Sequence, residues 1–294
     1  MNSGKLELSV ILVSFNGREL LAACLRSLQA SLSEIPHEVI VVDNASLDGS
    51  ADLVAERFPS VRLMRNSENL GYPKANNQGL AVACGTYVLL LNPDTEMALG
   101  VTDRLLSELE GRPDLGGVAP VLRLPSGKIQ VSFGRKVTFA AELSKKLFWN
   151  RRLSRAVDRD KKMREADWLG GACLLTRREI LERAGGFDEW FFLYFEDIDL
   201  CYRIRELGLR LFLIPSVEIR HIGGASTSGV SLFSRYHYRR SQLYFYRKYG
   251  SGLSRLALKA YLGVNFFGLF LWGALRRSDD MELRRRFLSL LRRQ

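Results

Sequence analysis

The chain has 294 residues, 47% hydrophobic and 26% charged, proportions that belong to an ordinary globular protein and exclude a disordered one. Its formal net charge is +11; residues 235–294 hold fourteen Lys or Arg against three acids, also +11, so the first 234 residues balance to zero. A neutral body with a basic, aromatic tail argues against a nucleic-acid-binding domain, whose basic stripe lies on the folded body, and fits attraction to an anionic membrane surface.

The segment Met1 to Leu8 carries Lys5 and Glu7 and lacks the apolar run and small-residue cleavage site of a signal peptide, which points to the cytoplasm. Cys24, Cys84, Cys173 and Cys201 lie far apart among apolar neighbours, so the expectation is four buried thiols and neither a zinc site nor a disulfide framework.

Residues 1–120 alternate apolar strand-like runs with amphipathic helical patterns, the mark of βα units on a mostly parallel sheet. Val10 to Val13 form the first strand, and Leu20, Leu21, Cys24, Leu25 and Leu28 recur at helical spacing. Strands are expected at Val39 to Val42, Val61 to Arg65 and Tyr87 to Leu91, with helices over Ala51 to Phe58, Lys74 to Cys84 and Leu99 to Glu110. Ligands of such sheets bind beyond the carboxyl ends of strands, so the polar residues there come first: Ser14 and Asn16, Asp43 to Ser46, and Asn92-Pro93-Asp94.

From 121 to 234 the pattern shifts to short runs broken by Gly and Pro, with a hairpin at Pro125-Ser126-Gly127 and a basic stretch from Lys145 to Arg164. Leu147, Phe148, Trp149, Leu153 and Val157 interleave with those charges, which suits either a membrane- or acceptor-facing loop or a solvated helix lying on the core. In the third segment, 235–294, the run Tyr261 to Leu275 is fifteen residues, short of the roughly 20 that span a bilayer, so an interfacial or buried helix is expected.

The first strand-to-helix turn, Ser14-Phe15-Asn16-Gly17, is not a glycine-rich phosphate loop, which weakens a dehydrogenase or ATPase reading. A diphosphate would then be neutralised by a divalent cation, Mg²⁺ or Mn²⁺, on a strand-end carboxylate. Asp94 is placed for that, with Glu96 near enough to help; equally, Asp94 could cap the helix that follows. Asp43 has the same two readings, cap or partner of a base or ribose. Three acids in the aromatic run Phe191 to Leu200, namely Glu196, Asp197 and Asp199, suit a general base with a raised pKa.

These motifs, in this order, resemble those of the inverting glycosyltransferases of family 2, within them the bacterial rhamnosyltransferase-like branch, over residues 8–250. The resemblance implies an α/β fold of GT-A type, a Rossmann-like, mostly parallel sheet flanked by helices, with a C-terminal helical membrane-associating extension. It implies that Asp43 contacts the base, that Asn69, Gly71 and Asn77 lie on the donor side with Ser14, Asn16 and Asn92, and that Trp168, Gly170, Gly171 and Glu196 face the acceptor. Asp197 becomes the base, with Asp188 and Asp199 shaping the site. Because Asn92 stands where the metal motif usually has an acid, Asp94 would bind metal together with His221; a lone histidine is otherwise more often structural.

The implied donor is dTDP-L-rhamnose, with a UDP-sugar second, and the acceptor a lipid-linked or cell-surface polysaccharide reached from the inner membrane face. A homo-oligomer is left open. Two other classes compete: a nucleotidyltransferase that builds the sugar nucleotide, and an inactive nucleotide- or glycan-binding module.

Overall fold

A computed structural model describes residues 6–139, 142, 150–222 and 232–275. The chain begins as βα units: β1 (Leu8–Ser14), α1 (Arg18–Ser31), β2 (His37–Asp43), α2 (Ser50–Arg57), β3 (Arg62–Arg65), α3 (Tyr72–Val82) and β4 (Tyr87–Leu91). β1, β2 and β4 form because both of their faces are apolar, as a sheet covered on both sides requires; β3, at the edge, has exposed arginines at its ends. Period-two alternation sends Val10, Leu12, Val39, Val41, Leu89 and Leu91 into one core with α1 and α2. Ile11, Val13, Ile40, Val42, Val88 and Leu90 enter the other core with α3.

The chain continues as β5 (Thr95–Glu96), α4 (Val101–Leu109), β6 (Leu115–Arg123), β7 (Ile129–Gln130), β8 (Phe133–Gly134), α5 (Asn150–Arg159), β9 (Arg164–Ala166), β10 (Trp168–Leu169) and β11 (Cys173–Arg177). Then come α6 (Arg178–Arg183), α7 (Glu196–Glu206), β12 (Arg210–His221), α8 (Leu232–Tyr249) and α9 (Gly252–Leu275). The main sheet runs β3-β2-β1-β4-β11-β6-β12-β5, with β7 beside β6 and β9 beside β12. β1 is parallel to both β2 and β4, so the strand order reverses at β1, and the crevice beyond its carboxyl end is where such sheets bind ligands. β11 runs antiparallel to β4 and β6. Residue 120, the expected boundary between halves, lies inside β6.

The hairpin is present: Gly127 takes φ of +76°, and the Leu124 amide donates to the Lys128 carbonyl at 2.9 Å. Of the basic stretch, Leu147, Phe148 and Trp149 lie outside the described residues; the following α5 seats Val157 fully in the core, the helix-on-core alternative. One cysteine departs from expectation. Cys24, Cys173 and Cys201 are buried, but Cys84 sits in the exposed turn after α3, where its neighbours' apolarity serves the core and not the thiol.

The C-terminal segment is folded onto the body. Leu243, Phe245 and Tyr246 of α8 and Leu258 and Leu262 of α9 pack against Phe191 and Phe195 in a third, aromatic core. Among the described residues no helix is long and apolar enough to cross a membrane.

Candidate active site

The loops after β1 and β2 are knitted together. The Asn44 amide donates to the Ser14 carbonyl at 2.8 Å, the Asn16 amide to Ser46 Oγ at 3.0 Å, and the Leu47 amide to Asn16 Oδ1 at 2.8 Å. Asn16 and Ala45 both adopt left-handed φ, 50° and 66°, the second a conformation alanine rarely takes outside a site that demands it. Ser14 and Asp43 are paired in register at the strand ends. Each is buried with an oxygen that finds no partner among the described residues, Ser14 Oγ and Asp43 Oδ1, although Asp43 Oδ2 accepts the Ser46 amide. Orphaned buried oxygens side by side at the sheet's switch point are the mark of a place built to meet a ligand.

Asn44 ties this corner to the next loop. Its side-chain Nδ2 donates to Asn69 Oδ1 and the Gly71 carbonyl, and its Oδ1 accepts from the Leu70 amide and Asn66 Nδ2. Asn69 Oδ1 also accepts the Gly71 amide, so the carbonyl of this donor-side residue shapes the loop. Gly71, at φ +85°, leaves no room for a Cβ, which would stand 2.8 Å from the Phe192 carbonyl. That close approach lets the Tyr72 amide donate to the same carbonyl and puts the Tyr72 hydroxyl 3.1 Å from Asn92 Oδ1 and 3.3 Å from the Gly171 carbonyl. Asn77 spans from α3 to the Phe187 amide and carbonyl and to Glu189, holding the segment that leads to α7.

At the end of β4, the Asn92 amide donates to the Ala172 carbonyl, and Thr95 closes the turn onto the Asn92 carbonyl. Asp94 caps no helix: α4 starts at Val101 behind Gly100 in a left-handed conformation. β5 pairs with β12 so that Thr95 faces His221 and Glu96 faces Arg220. His221 Nε2 thereby stands 3.1 Å from Asp94 Oδ1, while its Nδ1 lies 2.6 Å from Gln130 Oε1. Glu96, expected to assist Asp94, pairs with Arg220 at 3.1 Å: it faces Arg220 in the register, and Arg220 and His221, consecutive in β12, point to opposite faces.

Tyr194 and Phe195 take left-handed φ of 69° and 70° in succession, strain that sets the direction in which α7 begins. Its first residues, Glu196 and Asp197, line a cavity of about 760 Å³ shared with Asn92, His221, Gln130 and Gly171. Asp197 accepts amide hydrogens from Gly171 at 3.0 Å and Ile198 at 2.8 Å. Burial raises its pKa above the usual carboxyl range, and those amides only partly oppose it. Glu196 is driven further up, by burial first and then by the charges of Asp197 and Asp199. Asp199 turns away: fully buried, it pairs with Arg203, Lys248 and Tyr249. Asp188 receives Tyr244 and Lys248, and its pKa falls below the usual range because these bonds and the Trp190 amide outweigh burial. Trp168 and Gly170 also line the cavity, anchored by bonds to the carbonyls of Arg135 and Ser132.

Three contributors escaped the sequence reading. Gln130 gave no local signal, whereas Asn44 and the Tyr72 hydroxyl sat inside motifs already singled out.

Residues 9–185 match the signature of glycosyl transferase family 2. The chain belongs to that family. This family 2 glycosyltransferase is 32% identical over 240 residues, 75% of its own chain and 77% of the other, to an N-acetylglucosaminyl-diphospho-decaprenol L-rhamnosyltransferase of Mycobacterium tuberculosis. It is 38% identical over 85 residues, 28% of its chain and 31% of the other, to the rhamnosyltransferase WbbL of Escherichia coli. Among solved structures it resembles the mannosyltransferase PcManGT of Pyrobaculum calidifontis, determined with GDP-Man and Mn²⁺. The TM-score is 0.61 at 18% identity over 98% of this chain and 86% of that one, and the shared fold is GT-A.

Proposed function

We propose that this glycosyltransferase moves L-rhamnose from dTDP-L-rhamnose, with a UDP-sugar as the second choice of donor, to a hydroxyl of a lipid-linked or cell-surface glycan. The observation that carries the reading is one cavity lined by both the amide-held Asp197 carboxyl and the Asn92 to His221 corner. The donor choice is supported by the rhamnosyltransferase names of the relatives, and the lipid-linked acceptor by the name of the mycobacterial one.

The Asp94–His221 pair fits Mg²⁺ or Mn²⁺. With Nδ1 donating its hydrogen bond to Gln130 Oε1, Nε2 would present its lone pair beside the Asp94 carboxylate oxygen at 3.1 Å, and the two residues could hold a divalent cation together. Among the described residues no third His, Cys, Asp or Glu joins them. When bound, such an ion neutralises the diphosphate and makes it a better leaving group.

Asp43 and Ser14 take the nucleoside through their unpartnered oxygens. Asn16, Asn69 and Asn77 hold the surrounding loops through the bonds described above. Asp197 accepts the proton of the acceptor hydroxyl as its oxygen bonds to the anomeric carbon; the bond to the diphosphate oxygen breaks, the electron pair leaves with the nucleoside diphosphate, and configuration inverts. A base poised somewhat above the ordinary carboxyl range is suited to this proton transfer.

Incubation with dTDP-L-rhamnose, Mn²⁺ and a synthetic N-acetylglucosaminyl-diphosphoryl lipid tests this. The expected products are a nucleoside diphosphate and an inverted glycoside; rhamnose 1-phosphate, formed with dTTP when pyrophosphate is supplied, would indicate nucleotidyl transfer instead, and a retained configuration would remove the single-displacement step.

A further inference from the structure

Glu196 has no role in the proton transfer, yet it is the more unusual of the two neighbouring acids. It is 6% exposed, lines the cavity, and its Oε2 is buried with no partner among the described residues. Among the described residues the cations nearby are engaged elsewhere: Arg203 and Lys248 serve Asp199, Lys248 also serves Asp188, and Arg239, which lines the same cavity, donates to Gln242. The Gly171 and Ile198 amides go to Asp197, and Glu196 has only its own backbone amide, which does not offset burial. A buried carboxyl with one oxygen unpartnered, flanked by another carboxyl, is held most cheaply as the neutral acid. As such it is a hydrogen-bond donor beside Asp197, which as a base accepts.

Resting on the proposed transfer reaction, we propose that Glu196 is a neutral carboxylic acid that donates a hydrogen bond to an oxygen of the acceptor sugar beside the attacking hydroxyl. Glu196 and Asp197 then divide the work by position on the first turn of one helix. The residue whose carboxylate is stabilised by two amides takes the proton, and the one without them positions the acceptor. This role gives a side-chain amide an advantage over a carboxylate, because glutamine also donates from a group of the same shape.

The test compares Glu196→Gln with Glu196→Ala on dTDP-L-rhamnose and the synthetic N-acetylglucosaminyl-diphosphoryl lipid. Glu196→Ala is expected to raise the acceptor KM by about 10- to 100-fold, the usual cost of an unmet buried hydrogen bond, with a smaller change in donor KM. Glu196→Gln recovers most of that loss. A Gln variant as impaired as Ala, with an equal fall in kcat, would overturn the assignment, since it would mean that the ionised form acts.

Infrared difference spectra of wild type against Glu196→Gln give a readout independent of activity. A protonated-carboxyl band at neutral pH that the variant lacks supports the proposal, and a carboxylate band in its place overturns it. Failure of the transfer reading would instead appear as wild-type protein that makes no glycoside while the carboxyl band persists. A donor-induced thermal shift equal to that of wild type shows that both variants fold.

Discussion

His221 Nε2 and Asp94 Oδ1 stand 3.1 Å apart although 127 positions separate them in the chain, because β5 pairs with the last residues of β12. The ring cannot turn freely, since its other nitrogen is 2.6 Å from Gln130 Oε1. If this pair holds the divalent cation, His221→Ala raises the Mn²⁺ concentration needed for half-maximal activity. Gln130→Ala does so by about 10- to 100-fold, as loss of a partner behind a metal-binding histidine does. Titrating activity and heat of binding with Mn²⁺ checks both, and unchanged curves would make the pair a structural contact.

Asp197 leads to a different kind of loss. Its replacement by Asn keeps the shape and removes the capacity to accept a proton, so transfer falls by about 10²- to 10⁴-fold, the usual contribution of a positioned base. Nucleotide binding stays within a few-fold of wild type, because the unpartnered oxygens of Ser14 and Asp43 lie at the ends of β1 and β2, on other elements than Asp197. Single-turnover rates and calorimetry with the nucleoside diphosphate measure the two effects; turnover at the wild-type rate would take Asp197 out of the role.

The parts of the fold legible in the sequence were those with strong local period. Val10 to Val13 and Val88 to Leu91 announce strands because both faces are apolar, and β1, β2 and β4 appear where the runs place them. What stayed hidden depends on pairing across long separations. Asp94 looked as much like a helix cap as a ligand until Gly100 was seen to start α4. Glu96 looked like a second ligand until the register with Arg220 turned it outward. Helix α8 was read as part of a basic tail because its aromatic residues are spread round the helix and show no clear face. In the fold, Leu243, Phe245 and Tyr246 cover the segment that leads into α7.

The raised pKa of Asp197 has a consequence for stability. A carboxyl whose folded pKa lies above its unfolded value binds its proton more tightly when folded. Its favourable contribution is full below about pH 4 and is lost as pH rises through the raised value. The urea midpoint of Asp197→Asn, compared with wild type, should therefore shift in the variant's favour between about pH 4 and pH 8. A difference that stays constant across that range would show an ordinary carboxyl.

Asp199 shows the reverse case of a buried acid fully paired. It receives Arg203 at 2.8 Å, Lys248 at 2.7 Å and Tyr249 at 2.8 Å, joining α7 to the end of α8. Removing it leaves Arg203 without its carboxylate and Lys248 with Asp188 alone, so Asp199→Ala destabilises by about 3–5 kcal/mol. Denaturant unfolding reads this directly. A loss under about 1 kcal/mol would mean that water reaches the cations, as it does in surface pairs.

Membrane attachment is best tested on α9, by substitution and not by deletion. Leu258 and Leu262 are buried in the aromatic core and Tyr261 lines the cavity, so cutting the chain before Tyr261 would damage the site itself. The outer face is separable. Leu253, Leu256 and Val264 are 79%, 66% and 75% exposed, and with exposed Ala260 they follow at intervals of three, four and four residues, a single stripe along the helix. Arg255, on the same helix, is exposed beside them. An apolar stripe next to positive charge is the arrangement of a helix that lies in the surface of an anionic bilayer. Replacing Leu253, Leu256 and Val264 together by Ser should reduce sedimentation with phosphatidylglycerol vesicles while the thermal shift with nucleotide is kept. If the triple variant sediments as well as wild type and binding disappears only in high salt, the basic residues act alone and the stripe has another partner.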